Sequence, residues 1–203
     1  MRKYWRYTMG KKIGIVTLNG YFNYGNRLQN YATEQIIKSF DFEVETIINE
    51  TASLKSSNKD FLDIISKLNN IDNKKLIREI KNSVIYYLNK QKIETYRSNK
   101  AKLFKKFSSN NLNEIDYTIS INNIPDDFSN RFDFFVTGSD QVWNPYYVRK
   151  HSAINFLTFA PKEKRIAYAP SFGVSKIPSE DKKKFKKWIS EMKYLSVREY
   201  QGA

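Results

Sequence analysis

The chain has 203 residues, 40% hydrophobic and 15% aromatic, a composition typical of one α/β domain and unlike collagen-like or Pro/Gly-rich disordered chains. It contains no cysteine and one histidine, His151, which excludes disulfides and thiolate metal sites and argues against a histidine zinc site. The net charge of +14 favours an anionic partner. No apolar run reaches the ~20 residues of a membrane span, so we expect a cytoplasmic protein, with the inner membrane face as an alternative location.

The N-terminal part of the chain predicts a strand, a helix and a second strand. After a basic extension at 1–10, residues 11–17 are short, apolar and β-branched, as in a buried strand. Residues 26–40 predict a helix, with Asn26 as its N-cap, and 42–48 alternates like a strand. Strand, helix and strand within about forty residues is the pattern of a parallel sheet. The helix is expected to bury an apolar stripe at every fourth position: Leu28, Ala32, Ile36 and Phe40.

The rest of the chain continues the α/β pattern. We therefore predict an open, mostly parallel sheet with helices on both faces, in which 11–203 form one Rossmann-like domain. A last strand followed by five residues predicts truncation of that domain at its C-terminal end. Helices are predicted at 59–69, at 74–107 with a break near 89–92, and at 178–192; strands at 131–137, 155–159, 165–169 and 194–198; and a loop with one short edge strand at 108–125.

Basic residues are concentrated in two of these predicted helices. The stretch 74–107 holds eleven Lys and Arg against two Glu, and 182–187 is a second cluster. Both alternate with apolar residues at helical spacing, which predicts solvated helix faces. Lys outnumbers Arg by 26 to 9, whereas forked contacts to bases and phosphates favour Arg. We expect no specific nucleic-acid partner, and peripheral association with a membrane surface stays open.

Polar residues follow the first predicted strand, where open α/β sheets bind ligands. The loop after 11–17 is rich in Asn, Gly and aromatic residues and leads into the first helix. Free amides at a helix start attract anions, but the glycine spacing is neither that of a dinucleotide-binding fingerprint nor that of a P-loop. The alternative is a capped turn whose polar groups satisfy the backbone. The candidate binding residues are Asn23, Asn26, Arg27 and Gln29.

A second cluster, Gly-Ser-Asp-Gln-Val-Trp-Asn-Pro at 138–145, follows the strand at 131–137. Trp143 offers a flat apolar face for a sugar ring, and Asp140 could act as a general base toward a hydroxyl. Ser139, Gln141 and Asn144 could hydrogen-bond sugar hydroxyls. The alternative is a turn in which Asp140 caps a helix and Trp143 belongs to the core. A weaker cluster at 168–173 contributes Ser171.

Taken together, the segments 23–32, 132–144, 167–173 and 196–199, with Gly202, resemble the polysaccharide pyruvyl transferase family in order and spacing. The run at 138–144 is the most specific of them. The resemblance implies an enzyme with two Rossmann-like domains facing across a cleft, as in glycosyltransferase-B-like proteins. Such an enzyme adds pyruvate from phosphoenolpyruvate, as a ketal, to a sugar of a cell-surface polysaccharide.

By this resemblance the chain is the acceptor-side, N-terminal half. Its partners would be a sugar or polysaccharide acceptor and the missing C-terminal domain, whose Arg and His residues are expected to hold phosphoenolpyruvate. The chain has no counterpart of those residues, so we expect it to be inactive alone. The resemblance implies no cofactor and no metal, since phosphoenolpyruvate is a substrate. Two alternatives stay open: a non-catalytic sugar-binding or assembly domain left by truncation, and a basic nucleic-acid or membrane-surface module.

Overall fold

A β-sheet organises the fold in the computed structural model, which describes residues 10–21, 23–49, 73–148 and 152–200. The helix predicted at 59–69, His151 and, apart from Gly10, the predicted N-terminal extension lie outside the described residues. In chain order the elements are β1 (Lys12–Val16), α1 (Tyr24–Lys38), β2 (Glu43–Ile47), α2 (Asn73–Asn111), a 3-10 turn (Phe128–Asn130), β3 (Phe134–Gly138), α3 (Pro145–Val148), α4 (Ser152–Asn155), a second 3-10 turn (Lys162–Lys164), β4 (Arg165–Tyr168), α5 (Ser179–Ile189) and β5 (Tyr194–Leu195).

The five strands form one sheet in the order β2-β1-β3-β4-β5, and every neighbouring pair is parallel. This confirms the predicted α/β fold with an open parallel sheet. The connections β1-α1-β2 and β4-α5-β5 step in opposite directions across the sheet, so right-handed crossovers place α1 and α5 on opposite faces. The chain reverses direction between β1 and β3. That reversal leaves a crevice beyond their carboxyl ends, which is the usual ligand position in such sheets.

Aliphatic side chains and a group of phenylalanines form the larger core cluster, which packs on one face of the sheet. Phe128 contacts Phe132 and Phe135 with ring centroids 5.6 and 6.1 Å apart, and all three are buried. Burying each such side chain contributes roughly 1.5–3 kcal/mol. A second cluster joins α5 to the chain that follows β3, through Phe185, Phe156 and Trp143. The two clusters fix the position of the loops at the end of β3.

Helix α1 presents a different face to the sheet from the one predicted. Leu28, Ile36 and Phe40 of the predicted apolar stripe are 57%, 45% and 56% exposed, so this part of the prediction is wrong. The sequence pattern marks the apolar positions correctly, but the helix turns them toward solvent. The buried face is polar and consists of Asn26, Arg27, Asn30, Thr33 and Glu34.

Hydrogen bonds explain why α1 buries four of these five polar side chains, all but Asn26. Thr46 on β2 donates through Oγ1 to Oδ1 of Asn30 at 3.1 Å. The carboxylate of Glu34 accepts from Lys38 Nζ at 2.5 Å and from the backbone N–H of Asn113 at 3.2 Å. Buried polar groups that are paired cost far less than unpaired ones. Helix α1 therefore joins β2 to the segment that runs beside it.

Three further predictions differ from the structure or are refined by it. The helix at 73–111 is continuous, without the predicted break near 89–92. The predicted strand at 155–159 is wrong, because Leu157 N–H bonds to the Ile154 carbonyl and closes a helical turn there. The expected edge strand is reduced to isolated parallel bridges, such as Thr46 with Glu114. Within the described ranges, no helix has an apolar stretch long enough to cross a bilayer.

Candidate functional site

Three loops leave the carboxyl ends of β1, β3 and β4 along one edge of the sheet. The strand register pairs Val16 with Thr137 and Gly138 with Tyr168, so these loops begin side by side. The structure thereby brings the three polar clusters of the sequence to one place. We call this edge, formed by the described residues within 17–23 and by 139–144 and 169–173, the C-terminal rim.

Gly138 allows two loops of the C-terminal rim to touch. Its φ is +125°, and a Cβ at this position would lie 2.0 Å from the backbone carbonyl oxygen of Tyr168. Only glycine tolerates both that backbone conformation and that approach. The end of β3 therefore lies directly against the end of β4.

Backbone hydrogen bonds join the loop after β3 to the loop after β4. The N–H of Ser171 donates to the carbonyl of Asp140 at 2.9 Å, and the N–H of Trp143 donates to the carbonyl of Ser171 at 3.2 Å. Because these bonds run in both directions, each loop limits the movement of the other. The two loops form one unit of the rim.

Side chains reinforce the same junction at Gly173. Gln141 Oε1 accepts a hydrogen bond from Asn144 Nδ2 at 2.9 Å. Gly173 has a φ of +61°, and a Cβ there would lie 2.4 Å from Gln141 Oε1 and 2.8 Å from Asn144 Nδ2. The pair of amides therefore packs against the bare backbone of Gly173. Asn144, only 4% exposed, also caps α3 by accepting from Tyr146 N–H at 2.9 Å.

Ser171 is completely buried and connects the rim to the segment after β5. Its Oγ donates to Glu199 Oε1 at 2.5 Å and accepts from Gly173 N–H at 3.0 Å. Burial by itself would raise the pKa of Glu199. The hydrogen bonds from Ser171 and Arg198 outweigh this effect and hold the pKa below its ordinary value. Ser171 therefore supports the rim and presents no free hydroxyl to a ligand.

Trp143 does not provide the exposed sugar platform that the sequence suggested. The side chain is 0% exposed, and its ring stacks on Phe156 with centroids 4.8 Å apart and planes 6° from parallel. The indole Nε1–H donates to the Asn155 carbonyl at 3.2 Å. A ligand has no access to an indole held this way. We correct its assignment to a core residue under the rim, the alternative that the sequence left open.

Arg27 is likewise a buried structural residue and not an exposed cation. It is 1% exposed, and it donates to Glu114 Oε1 at 2.7 Å, to the Leu18 carbonyl at 3.0 Å and to Ser108 Oγ at 3.3 Å. These bonds hold the loop after β1 against the C-terminal end of α2 and the segment beyond it. The predicted contact of Arg27 with an anionic ligand is therefore corrected, because its guanidinium is enclosed by protein.

Gln29 and Tyr21 complete this supporting network. Gln29 accepts from Thr17 Oγ1 at 3.0 Å and donates to Thr33 Oγ1 at 2.9 Å, so both ends of its amide are engaged. The hydroxyl of Tyr21 donates to Glu114 Oε2 at 3.3 Å. Burial and the Glu114 carboxylate raise the pKa of Tyr21, against the opposing influence of Arg27. Sequence reasoning missed Glu114, because nothing in the sequence links it to the first loop.

A smaller set of predicted residues keeps groups available at the rim. Asp140 Oδ1 accepts from Gln141 N–H at 2.7 Å, whereas Oδ2 has no partner among the described residues. The hydroxyl of Ser139 and the side-chain NH2 of Gln141 are also without a partner in the part of the chain that the structure describes, and both residues are partly exposed. The side chain of Asn26 is 5% exposed and makes no hydrogen bond within the described ranges.

Asn23 has a different position from these residues. It is exposed and caps α1, its Oδ1 accepting from Gly25 N–H at 2.8 Å, so the cap is Asn23 where the sequence suggested Asn26. With the cap at Asn23, the buried amide of Asn26 falls in the first turn of α1. The available groups thus come from the start of α1 and from the loop after β3. These two segments border the crevice between β1 and β3.

Comparison with known proteins gives one family. The model of that family, described as polysaccharide pyruvyl transferase, matches residues 23–203 and so covers the rim loops after β3 and β4 but only residue 23 of the β1 loop. Searches of the curated proteins and of the solved structures return no match.

Proposed function

Because the chain belongs to the polysaccharide pyruvyl transferase family, we propose that it is the acceptor-side half of an enzyme that transfers pyruvate from phosphoenolpyruvate to a polysaccharide sugar. The observation that carries this proposal is the set of groups at the rim on Ser139, Asp140 and Gln141 that have no hydrogen-bond partner among the described residues. Sugar hydroxyls both donate and accept hydrogen bonds, and a carboxylate oxygen, a hydroxyl and an amide NH2 match that pattern. The proposal places the reaction in the cytoplasm, in keeping with a chain that lacks cysteine.

The proposed reaction forms a cyclic ketal. One sugar hydroxyl adds its oxygen to C2 of phosphoenolpyruvate while C3 takes up a proton and becomes a methyl group. The oxygen of a second hydroxyl then bonds to C2 as the C2–O bond to phosphate breaks. The two hydroxyls together give up two protons, of which one balances that on C3 and the other leaves with the phosphate.

Asp140 is proposed as the base that takes a proton from the attacking hydroxyl. Within the described ranges its Oδ2 has no partner, and its Oδ1 accepts a 2.7 Å bond from Gln141 N–H, which fixes the direction of the carboxylate. A base must reach the proton that it removes, and a partly exposed carboxylate at the crevice meets that need. Ser139, Gln141 and Asn26 would orient the sugar. The groups that protonate C3 and bind phosphate and carboxylate would come from the second domain.

Saturation-transfer NMR of the 203-residue chain with para-nitrophenyl glycosides of common hexoses tests the acceptor site. We expect at least one glycoside to bind, and Asp140→Asn to weaken it about tenfold through loss of a charged hydrogen bond. Asp126→Asn is the matched control, since Asp126 is exposed and precedes the start of β3, whereas the rim loops follow the carboxyl ends of the strands. Equal binding by wild type and Asp140→Asn would contradict the assignment of Asp140.

Turnover is tested separately by release of inorganic phosphate from phosphoenolpyruvate in the presence of the bound glycoside. The proposal expects binding without phosphate release, because the donor-binding residues belong to the other half. Formation of phosphate and ketal by this chain alone would overturn its assignment as the acceptor-side half. Absence of binding by every glycoside would overturn the acceptor site itself.

A further inference from the structure

Helix α2 carries most of the net positive charge of the protein and extends far beyond its packing partners among the described residues. Its 39 residues include eleven Lys and Arg and two Glu, which is nine of the fourteen net charges. At 1.5 Å per residue the helix is about 58 Å long. Its buried side chains, among those that are described, are Phe104 and Ser108 near its C-terminal end. Tyr24 of α1 contacts Phe104 there, with ring centroids 4.5 Å apart.

One face of the projecting part of α2 combines lysines with exposed aliphatic side chains. Val84, Ile85 and Leu88 are 51%, 49% and 77% exposed. Lys81 precedes this group by one turn and Lys92 follows it by one turn, and both are exposed. The spacings of three, four, seven and eleven residues from Lys81 place all five side chains on one helix face. We call these five residues the basic-apolar stripe, and none of them is acidic.

The basic-apolar stripe faces away from α1, on which α2 packs in the described part of the chain. Leu88 and Phe104 are 16 residues apart, which corresponds to about 160° around a helix with 3.6 residues per turn. Phe104 is buried against α1, so Leu88 points to the opposite side. The same outer face continues toward the C-terminal end of α2 at Lys102, Leu103 and Lys106, where Leu103 is 63% exposed. A flat surface could therefore contact the stripe without meeting α1.

We propose that the basic-apolar stripe of α2 binds an anionic lipid surface. Helices with lysines beside exposed aliphatic residues lie in the plane of a bilayer interface, where lysine stems extend along apolar surface and their ammonium groups reach lipid phosphates. A second copy of this chain is a poor occupant, because it would place one strongly basic helix against another. Nucleic acid would pair with the lysines but would leave Val84, Ile85 and Leu88 in water. This inference does not rest on the proposed transferase reaction.

Co-sedimentation of the 203-residue chain with vesicles tests the proposal at about 150 mM NaCl, close to physiological ionic strength. Vesicles of pure phosphatidylcholine and vesicles containing phosphatidylserine as well are compared. We expect binding to the mixed vesicles only. Lys81→Glu/Lys92→Glu should weaken it at least about 25-fold, since each lysine near an anionic surface contributes about fivefold. Lys183→Glu/Lys187→Glu makes the same change of charge on α5 and should have a much smaller effect.

A second variant, Val84→Ser/Leu88→Ser, keeps the charge and removes apolar surface. We expect it to lose most of the vesicle binding that persists at 150 mM salt, whereas circular dichroism should remain unchanged because both side chains are exposed. Equal losses in the two charge variants would reduce the effect to general charge and overturn the proposal. The proposal would also be overturned if the protein bound duplex DNA or RNA more tightly than mixed vesicles and the serine substitutions left that nucleic-acid binding unchanged. Failure of the wild type to sediment with mixed vesicles would also overturn it.

Discussion

Replacing Arg27 with methionine should destabilise the protein strongly, because it leaves the Glu114 carboxylate without its partner. The guanidinium is 1% exposed and binds Glu114 at 2.7 Å, and the Leu18 carbonyl loses its hydrogen bond as well. Breaking a buried ion pair from one side costs about 3–5 kcal/mol. Glu114 is 15% exposed and can be partly hydrated, so we expect the lower end, about 3 kcal/mol. Methionine fills a similar volume, which keeps the cavity contribution small.

Urea unfolding followed by circular dichroism measures this loss. With an m value of about 2 kcal/mol/M, the midpoint should fall by about 1.5 M. Arg131→Met is the control, because Arg131 pairs with Glu45 at 3.3 Å on the surface and should cost less than about 1 kcal/mol. Adding Glu114→Gln to Arg27→Met should recover about 1 kcal/mol by removing the unpaired charge. If Arg27→Met unfolds at the wild-type midpoint but loses glycoside binding, Arg27 is a ligand contact and the structural assignment fails.

Two further predictions concern the rim. Gly138→Ala should destabilise the protein by more than about 3 kcal/mol in the same urea assay, since its Cβ would lie 2.0 Å from a backbone oxygen. Gly10→Ala is the control: Gly10 has a φ of +83° but lies in open space, so this change should cost about 1–2 kcal/mol. Equal costs of the two substitutions would contradict the close approach at Gly138. The pKa of Glu199 is lower in the folded chain than in the unfolded chain, so its carboxylate stabilises the fold above the ordinary glutamate pKa and this stabilisation is lost as the pH falls through the folded value. The melting temperature of Glu199→Gln should therefore lie below that of wild type at pH 7 and approach it as the pH falls below the ordinary glutamate pKa; a difference that persists at the lowest pH at which the protein still folds would refute the role of the charge.

The sheet could be predicted from sequence because its strands are short, apolar and bounded by turn residues. The strand at 131–137 and the strand at 165–169 were expected to within three residues of β3 and β4. The parallel sheet followed from the strand, helix and strand predicted within 11–48. The run at 155–159 has a similar composition but forms a helical turn, since a short apolar segment fits either structure until its neighbours are known. The structure of 155–159 is therefore determined by its tertiary contacts and not by its local sequence.

The sequence could not predict which polar side chains are buried. Apolar periodicity treats Asn30 and Glu34 as solvent-facing, although their partners, Thr46 and Asn113, are distant in the chain and make burial favourable. The burial of Arg27 could not be predicted for the same reason, because its carboxylate partner, Glu114, lies 87 residues away in the chain. The positions of the polar clusters at strand ends were predictable from topology. Topology could not predict whether each of these side chains faces the crevice or the core.

The structure of the rim also bears on how strongly the proposed acceptor half-site would bind a sugar. The loops are already fixed from within by the bonds between Asp140 and Ser171 and by the packing of Trp143, so a ligand need not order them. What it gains is limited to a few hydrogen bonds, each worth about 0.5–1.5 kcal/mol, or somewhat more to the Asp140 carboxylate. Three or four such bonds amount to about 4 kcal/mol, which corresponds to a Kd of about 1 mM. We therefore expect this chain to bind an acceptor weakly and to need an opposing surface that closes over the sugar. Both expectations have the same physical cause, because the preorganised rim contacts only one side of its ligand.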